Sequence, residues 1–226
     1  MTECAIEVMD VCKKLGHEMV FENLNLSVNY GEIVGIIGSN GSGKTLLLRI
    51  LSGLAYVDSG SVRVGDVYLS KPGVFGRLAA HVGLLIETPG FLPYLSGFEN
   101  LQILAHIRNR IGQDDIRKTM ELVGLDPYNR KPVKQYSLGM RQRLGLAQAL
   151  MEKNKILLLD EPTNALDPEF TTVFLDILSH LKEDGTAIIL TSHEMDEVRT
   201  ISDKLLKVKD KRLILQWDME VFNDEP

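Results

Sequence analysis

The stretch from Glu32 to Leu54 constrains this chain more than any other. Glu32 to Ile37 reads EIVGII, a short apolar strand, and Thr45 to Leu54 carries the dense apolar face of a helix ended near Gly53. Between them Gly38-Ser39-Asn40-Gly41-Ser42-Gly43-Lys44-Thr45 matches G-x-x-x-x-G-K-[ST]. Glycines at this spacing let the backbone curl until successive N–H groups converge on phosphate oxygens, and a helix N-terminus adds partial positive charge. Lys44 supplies a mobile cation for the outer phosphates, and Thr45 a hydroxyl for Mg²⁺. The ligand class implied is a nucleoside triphosphate.

The remaining segments arrange themselves around this unit. Leu24, Leu26, Val28 and Tyr30 alternate with polar residues, as in a half-buried antiparallel strand turned at Gly31, and Val62, Val64, Val67 and Leu69 repeat that pattern. From Thr88 the signals become helical: Ser96 with Glu99 forms a capping box for a helix through Ile107, and Ile116, Met120 and Val123 mark a helix ending at Gly124. A third helix begins at Ser137, with Leu144, Ala147 and Leu150 on one side. Ile156 to Leu159 then reads as a buried parallel strand. Asp167 and Pro168 open a helix expected to turn Phe170, Val173, Ile177 and Leu181 inward, and Gly185 leads into the strand Ala187 to Leu190. Two short strands, Lys204 to Val208 and Arg212 to Leu215, precede an acidic end at Asn223 to Pro226.

These elements predict an α/β fold of the P-loop NTPase type, with a RecA-like parallel sheet core, an antiparallel β subdomain and an inserted helical subdomain. One domain is expected over 1–226, with 1–87 and 156–226 forming the core and 88–155 the helical part.

A phosphate loop does not say what becomes of the nucleotide, so a metal-holding acid and a base are required. Both follow Leu159. Asp160 and Glu161 sit at the carboxyl end of a buried strand, where ligands of parallel α/β sheets collect. Asp160 is expected to hold Mg²⁺ through its water shell, and Glu161 to polarise the attacking water. A guanine-nucleotide switch protein would need Asn-Lys-x-Asp, but Asn164 is followed by Ala165-Leu166-Asp167. A small-molecule kinase would need a substrate pocket and lid.

With 25 Lys and Arg against 31 Asp and Glu and a pI near 5.4, no nucleic-acid partner is expected, so any anion site must be local. No apolar run reaches the roughly 20 residues of a membrane span, and Met1 to Val11 lacks the pattern of a secretory signal, so a cytoplasmic location is expected. Cys4 and Cys12 have neither metal-ligand spacing nor a disulfide framework and read as ordinary thiols.

The order of motifs resembles the ATP-binding cassette superfamily over about Ile6 to Trp217. Glu87 stands where that family has its Q-loop glutamine. Tyr136-Ser137-Leu138-Gly139-Met140, followed by Arg141-Gln142-Arg143, resembles the LSGGQ signature; Asn164-Ala165-Leu166-Asp167 resembles the D-loop, and Thr191-Ser192-His193 the switch histidine. The resemblance implies a head-to-tail dimer, a homodimer or heterodimer, with each of two ATP molecules held between the P-loop of one cassette and the signature of the other. Ser137 and Gly139 would then meet the γ-phosphate in trans, Asp167 would couple the sites, and His193 would bond the γ-phosphate or the lytic water.

Departures from the family pattern are equally specific. Leu138 replaces the signature's first glycine and Met140 its glutamine, Leu15 stands where an aromatic ring would meet adenine, and Glu87 places a carboxylate near Mg²⁺. Glu87, its IETPGF context and YSLGMRQR resemble the bacitracin-export and lantibiotic-immunity branch, in which a separate transmembrane permease pairs with an ATPase of about this length. The expected function is therefore the ATP-hydrolysing subunit of an exporter of a peptide antibiotic or other amphipathic compound, peripheral on the cytoplasmic membrane face through its permease. Glu87 and the apolar residues Phe91, Leu92, Tyr94 and Leu95 after it are expected to receive a coupling helix of that permease, the alternative being that they form local core of the helical lobe. The last strands are expected to leave no room for a sizeable regulatory domain. Chromosome-acting relatives insert long coiled coils and ribosome-acting ones join two cassettes, and this sequence has neither. A regulatory module that binds ATP without turnover is disfavoured by the full set Lys44, Asp160, Glu161 and His193.

Overall fold

The computed structural model describes residues 3–69, 78, 81–87, 90–193 and 195–218. Thr88, which opens the expected helical segment, and the acidic end at Asn223 to Pro226 lie outside the described residues. The strands are β1 Cys4–Leu15, β2 Glu18–Asn29, β3 Ile33–Ile37, β4 Ser59–Val64, β5 Val67–Tyr68, β6 Val82–Leu85, β7 Ile156–Leu159, β8 Ala187–Ser192, β9 Lys204–Lys209 and β10 Arg212–Asp218. The helices are α1 Lys44–Leu51, α2 Gly97–Arg108, α3 Gln113–Leu122, α4 Leu138–Leu150, α5 Pro168–Glu183 and α6 Met195–Arg199.

A six-stranded sheet of order β10-β9-β3-β8-β7-β6 forms the centre, parallel from β9 to β6 and closed by the antiparallel hairpin β9–β10. A second, four-stranded sheet of order β2-β1-β4-β5 is wholly antiparallel. The central parallel strands β3, β7 and β8 are buried on both faces, which is why they read as continuous apolar runs. Their two-residue period divides them between two cores. Ile33, Ile37, Leu157, Leu159, Ile188 and Leu190 face one that also contains Leu101, Leu144 and Phe174 from the helices. Val34, Ile36, Ile156, Leu158 and Ile189 face the other, filled by Leu47, Leu48 and Leu51 of α1 and by Ile6, Phe21 and Leu24 of the antiparallel sheet. The α1 helix is therefore buried between the two sheets.

Helices α2, α3 and α4 follow β6, precede β7 and pack on one another. The α2 start is the expected capping box: Ser96 Oγ accepts from Glu99 N–H and the Glu99 carboxylate accepts from Ser96 N–H at 2.8 Å. Hydrogen bonds from the Ser96 hydroxyl and the Ser96 N–H hold the Glu99 carboxyl below its ordinary range. Gly83 on β6 is required by packing, because a Cβ there would lie 2.2 Å from the Ala149 carbonyl of α4.

Two local expectations are corrected. Helix α1 stops at Leu51 rather than Leu54, with Gly53 in the left-handed region at φ 72° and Leu54 exposed. On α5 the buried face is Phe170, Phe174 and Leu178; Val173 is 45% exposed, and Ile177 and Leu181 pack only partly. Phe170, Phe174 and Leu178 recur every four residues, and that row, rather than the one through Val173, lies over the sheet. Phe174→Ala should lower unfolding free energy by about 3–5 kcal/mol, against at most ~0.5 kcal/mol for Val173→Ala, in urea denaturation.

Candidate active site

The strand order decides which loops meet. β3, β8 and β7 are neighbours, so their carboxyl ends bring together the loop after Ile37, the residues ending β8 and the two acids after Leu159. Gly43, at φ 108°, turns the loop into α1, and a Cβ there would lie 2.9 Å from the Phe21 ring. Glycine is thus demanded twice, by conformation and by the wall of the antiparallel sheet.

Lys44 is 6% exposed, and its Nζ donates to the Gly38 carbonyl at 2.7 Å and lies 3.3 Å from Glu161 Oε1. Thr45 Oγ1 donates to Asp160 Oδ2 at 2.7 Å, and Thr191 Oγ1 donates to Asp160 Oδ1 at 2.6 Å. Asp160 is itself buried, with both carboxylate oxygens engaged. Glu161 N–H donates to Thr191 Oγ1 at 3.0 Å, while Glu161 Oε2 lies 2.8 Å from His193 Nδ1. Glu161 thus has Lys44 on one carboxylate oxygen and His193 on the other. Its backbone is in the left-handed region at φ 46°, a conformation costing a side-chain-bearing residue about 1–3 kcal/mol and often found at functional positions. Ser42 Oγ, within the glycine-rich loop, is buried without a hydrogen-bond partner among the described residues, as suits a group that meets a phosphate.

Residues 21–164 match the family described as ABC transporter. The chain belongs to that family. The uncharacterized ABC transporter ATP-binding protein YybJ of Bacillus subtilis (strain 168) is 42% identical over 208 residues, covering 92% of this chain and 94% of YybJ. The bacitracin transport ATP-binding protein BcrA of Enterococcus faecalis is 42% identical over 205 residues, 89% of this chain and 65% of BcrA. The lantibiotic transport ATP-binding protein SrtF of Streptococcus pyogenes is 31% identical over 227 residues, 97% of this chain and 96% of SrtF. Among solved structures, the dimeric bacterial ABC transporter cassette MJ0796 matches with a TM-score of 0.84 at 25% identity, over 92% of this chain and 96% of that one.

In this cassette the phosphate loop Gly38 to Thr45, Asp160, Glu161 and His193 converge from the strand ends, whereas Glu87 does not join them. Glu87 Oε1 pairs at 2.6 Å with Arg49 of α1, one helical turn beyond Thr45, and both side chains face solvent. Ser137 caps α4, its Oγ accepting from Met140 N–H at 3.1 Å, and is exposed together with Leu138. Gly139 lies against the D-loop, where a Cβ would be 2.9 Å from the Ala165 carbonyl. Asp167 caps α5 by accepting from Phe170 N–H at 2.9 Å and pairs with Arg143 at 2.5 Å. Leu15 is exposed on the rim of a cleft of about 740 Å³ that opens onto Ser39, Gly41, Ser42 and Gly43 and faces Lys207–Lys211; no aromatic ring lines it among the described residues. Of the loop after β6, Leu92 and Tyr94 point outward, while Phe91 packs on the core.

Sequence reasoning passed over Thr191, which bridges both acids, and Gln142, whose amide reaches the backbone behind Glu161. Thr191 had a signal, a hydroxyl at the end of an apolar strand two residues before His193; Gln142 had none beyond its place after the signature.

The Phe170 N–H, followed by the Arg143 guanidinium, holds the Asp167 carboxyl below its ordinary range. A depressed carboxyl stabilises the fold above its unfolded value, near ~4, and loses that contribution as pH falls through the folded value. Asp167→Asn should therefore lower the urea midpoint at neutral pH, with the gap to wild type closing on acidification.

Proposed function

We propose that this cassette hydrolyses MgATP to drive a separate membrane permease, and that its cargo is a peptide antibiotic or a similar amphipathic compound. The observation that carries the hydrolytic reading is the convergence of Lys44, Glu161 and His193 at the ends of three adjacent strands. Lys44 and the backbone N–H groups of Gly41 to Thr45 neutralise the β- and γ-phosphates. The Thr45 hydroxyl and Asp160 carboxylate, hard oxygens held 2.7 Å apart beside the phosphate loop, fit Mg²⁺ and would hold it. Bound there, the ion would neutralise charge on the phosphate oxygens. Glu161 accepts the proton of the water that attacks the γ-phosphorus, and ADP departs as the bond to its β-phosphate oxygen breaks. His193 fixes the Glu161 carboxylate and bonds the γ-phosphate side of the site. The phosphate charge on the open side is met by a second cassette, whose Ser137 hydroxyl and α4 N-terminus approach in trans, giving a head-to-tail dimer. The exposure of Ser137 and Leu138 supports that placement.

The 88–155 segment is read as the lobe that carries the signature and receives the permease on the cytoplasmic membrane face. Exposed Leu92 and Tyr94, with the Arg49–Glu87 pair in the outward region after β6, support a docking surface there. No helix among the described residues is long and apolar enough to cross a membrane. The export of an antimicrobial peptide is supported by the likeness to BcrA and SrtF, proteins named for bacitracin and lantibiotic transport.

Lys44→Ala should abolish MgATP binding in a fluorescent-nucleotide titration. Glu161→Gln should keep binding but lower turnover by about 10²–10⁴-fold and trap an ATP-bound dimer; wild-type turnover in that variant would overturn the base assignment. Glu161→Gln purified with MgATP from solubilised membranes should bring a polytopic subunit identifiable by mass spectrometry, absent with Lys44→Ala. Ribosomal or chromosomal partners instead would overturn the transport reading.

A further inference from the structure

Glu161 holds an unfavourable backbone conformation, so something must hold it there. Its N–H is taken by Thr191 and its carboxylate by Lys44, at the start of α1, and His193, just beyond β8. The remaining handle comes from elsewhere. Gln142 lies in the second turn of α4, and its Nε2 donates to the Pro162 carbonyl at 2.9 Å and reaches the Glu161 carbonyl at 3.4 Å. An amide NH₂ has two donors, and the two adjacent carbonyls of the turn after Glu161 are its acceptors. The same helix begins at Ser137 and Gly139, and its next residue, Arg143, holds Asp167 just beyond that turn.

We propose that Gln142 is a positioning residue for hydrolysis, fixing the Glu161–Pro162 turn so that the Glu161 carboxylate keeps its place beside Lys44. This deepens the hydrolytic reading above and rests on it. Gln142 acts through the backbone of Glu161 and Pro162. Because its helix also carries Ser137 and Gly139, a phosphate bound at that helix N-terminus and the glutamate of this chain's own site are joined by one rigid element. Loss of the donor should loosen the carboxylate without disturbing Lys44 or the phosphate loop, so turnover falls while nucleotide affinity stays.

The test compares the full chain as wild type, Gln142→Met, Gln142→Glu and Glu161→Gln. Met keeps the apolar stem, and Glu keeps the shape while removing the donor, so at least one variant should fold with a melting temperature near wild type. Both folded variants should lose at least about tenfold in kcat with KM for ATP within about twofold, and should accumulate a MgATP-dependent dimer in size-exclusion chromatography as Glu161→Gln does. Either folded variant retaining more than half of wild-type kcat, or a KM that rises as kcat falls, overturns the proposal while leaving the hydrolytic reading intact. Glu161→Gln matching wild type in both turnover and dimer content overturns the hydrolytic reading itself.

Discussion

The buried Asp160 carboxylate is the constraint on which the site depends. A carboxylate taken out of water must have its oxygens hydrogen-bonded, and here the donors are Thr45 from the start of α1 and Thr191 from the end of β8. Its own N–H continues the ladder to β6 by donating to Leu85 at 2.7 Å. One side chain thus ties together the helix that follows the phosphate loop, the strand that presents His193 and the strand that presents Glu161. Since unpaired burial of that charge would cost several kcal/mol, the three elements are held in mutual register by electrostatics as well as by the apolar packing beneath them.

The charges in the site explain why an acidic protein can still bind an anion. Lys44 brings one positive charge, and Asp160 and Glu161 bring two negative ones, so the side chains alone do not favour a triphosphate. The balance has to come from groups that carry no formal charge, the backbone N–H groups of the loop and the α1 N-terminus, and, in the mechanism proposed above, from a divalent cation at Thr45 and Asp160. The overall charge of −6 is therefore compatible with the function, because the attraction is local and dipolar.

Much of this was legible in the chain because its signals are short-range. The capping box at Ser96 and Glu99, the Asp167 cap and the all-apolar strands β3 and β7 are each encoded within a few residues, and each is present in the fold. What failed depended on the third dimension. Val173 and Phe174 are both apolar neighbours on α5, and only the packing of the helix on the sheet selects Phe174 for burial. Glu87, placed near Mg²⁺ by its order among the motifs, pairs in this structure with Arg49 of α1, a contact its sequence neighbours do not encode. The roles of Thr191 and Gln142 were not assigned because their partners lie 31 and 20 residues away, although Thr191 carried a signal in its hydroxyl two residues before His193.

If the α4 start meets a phosphate in trans, as proposed above, the altered signature separates the features that role needs from those it does not. A phosphate-facing helix start needs a cap that leaves the terminal N–H groups aimed outward and a residue small enough for the neighbouring backbone. Ser137 supplies the cap, and Gly139 the clearance from Ala165. The two replaced positions bear on neither. Leu138 projects into solvent at 59% exposure, and Met140 packs partly against the helical core, where a thioether side chain adapts to the available space. Since the donors at this surface are backbone groups, the changes to Leu138 and Met140 leave the dipole and the cap unaltered while making the approach surface more apolar. In the head-to-tail dimer proposed above, a second cassette closing over this surface would bury Leu138, and taking that side chain out of water would contribute to closure.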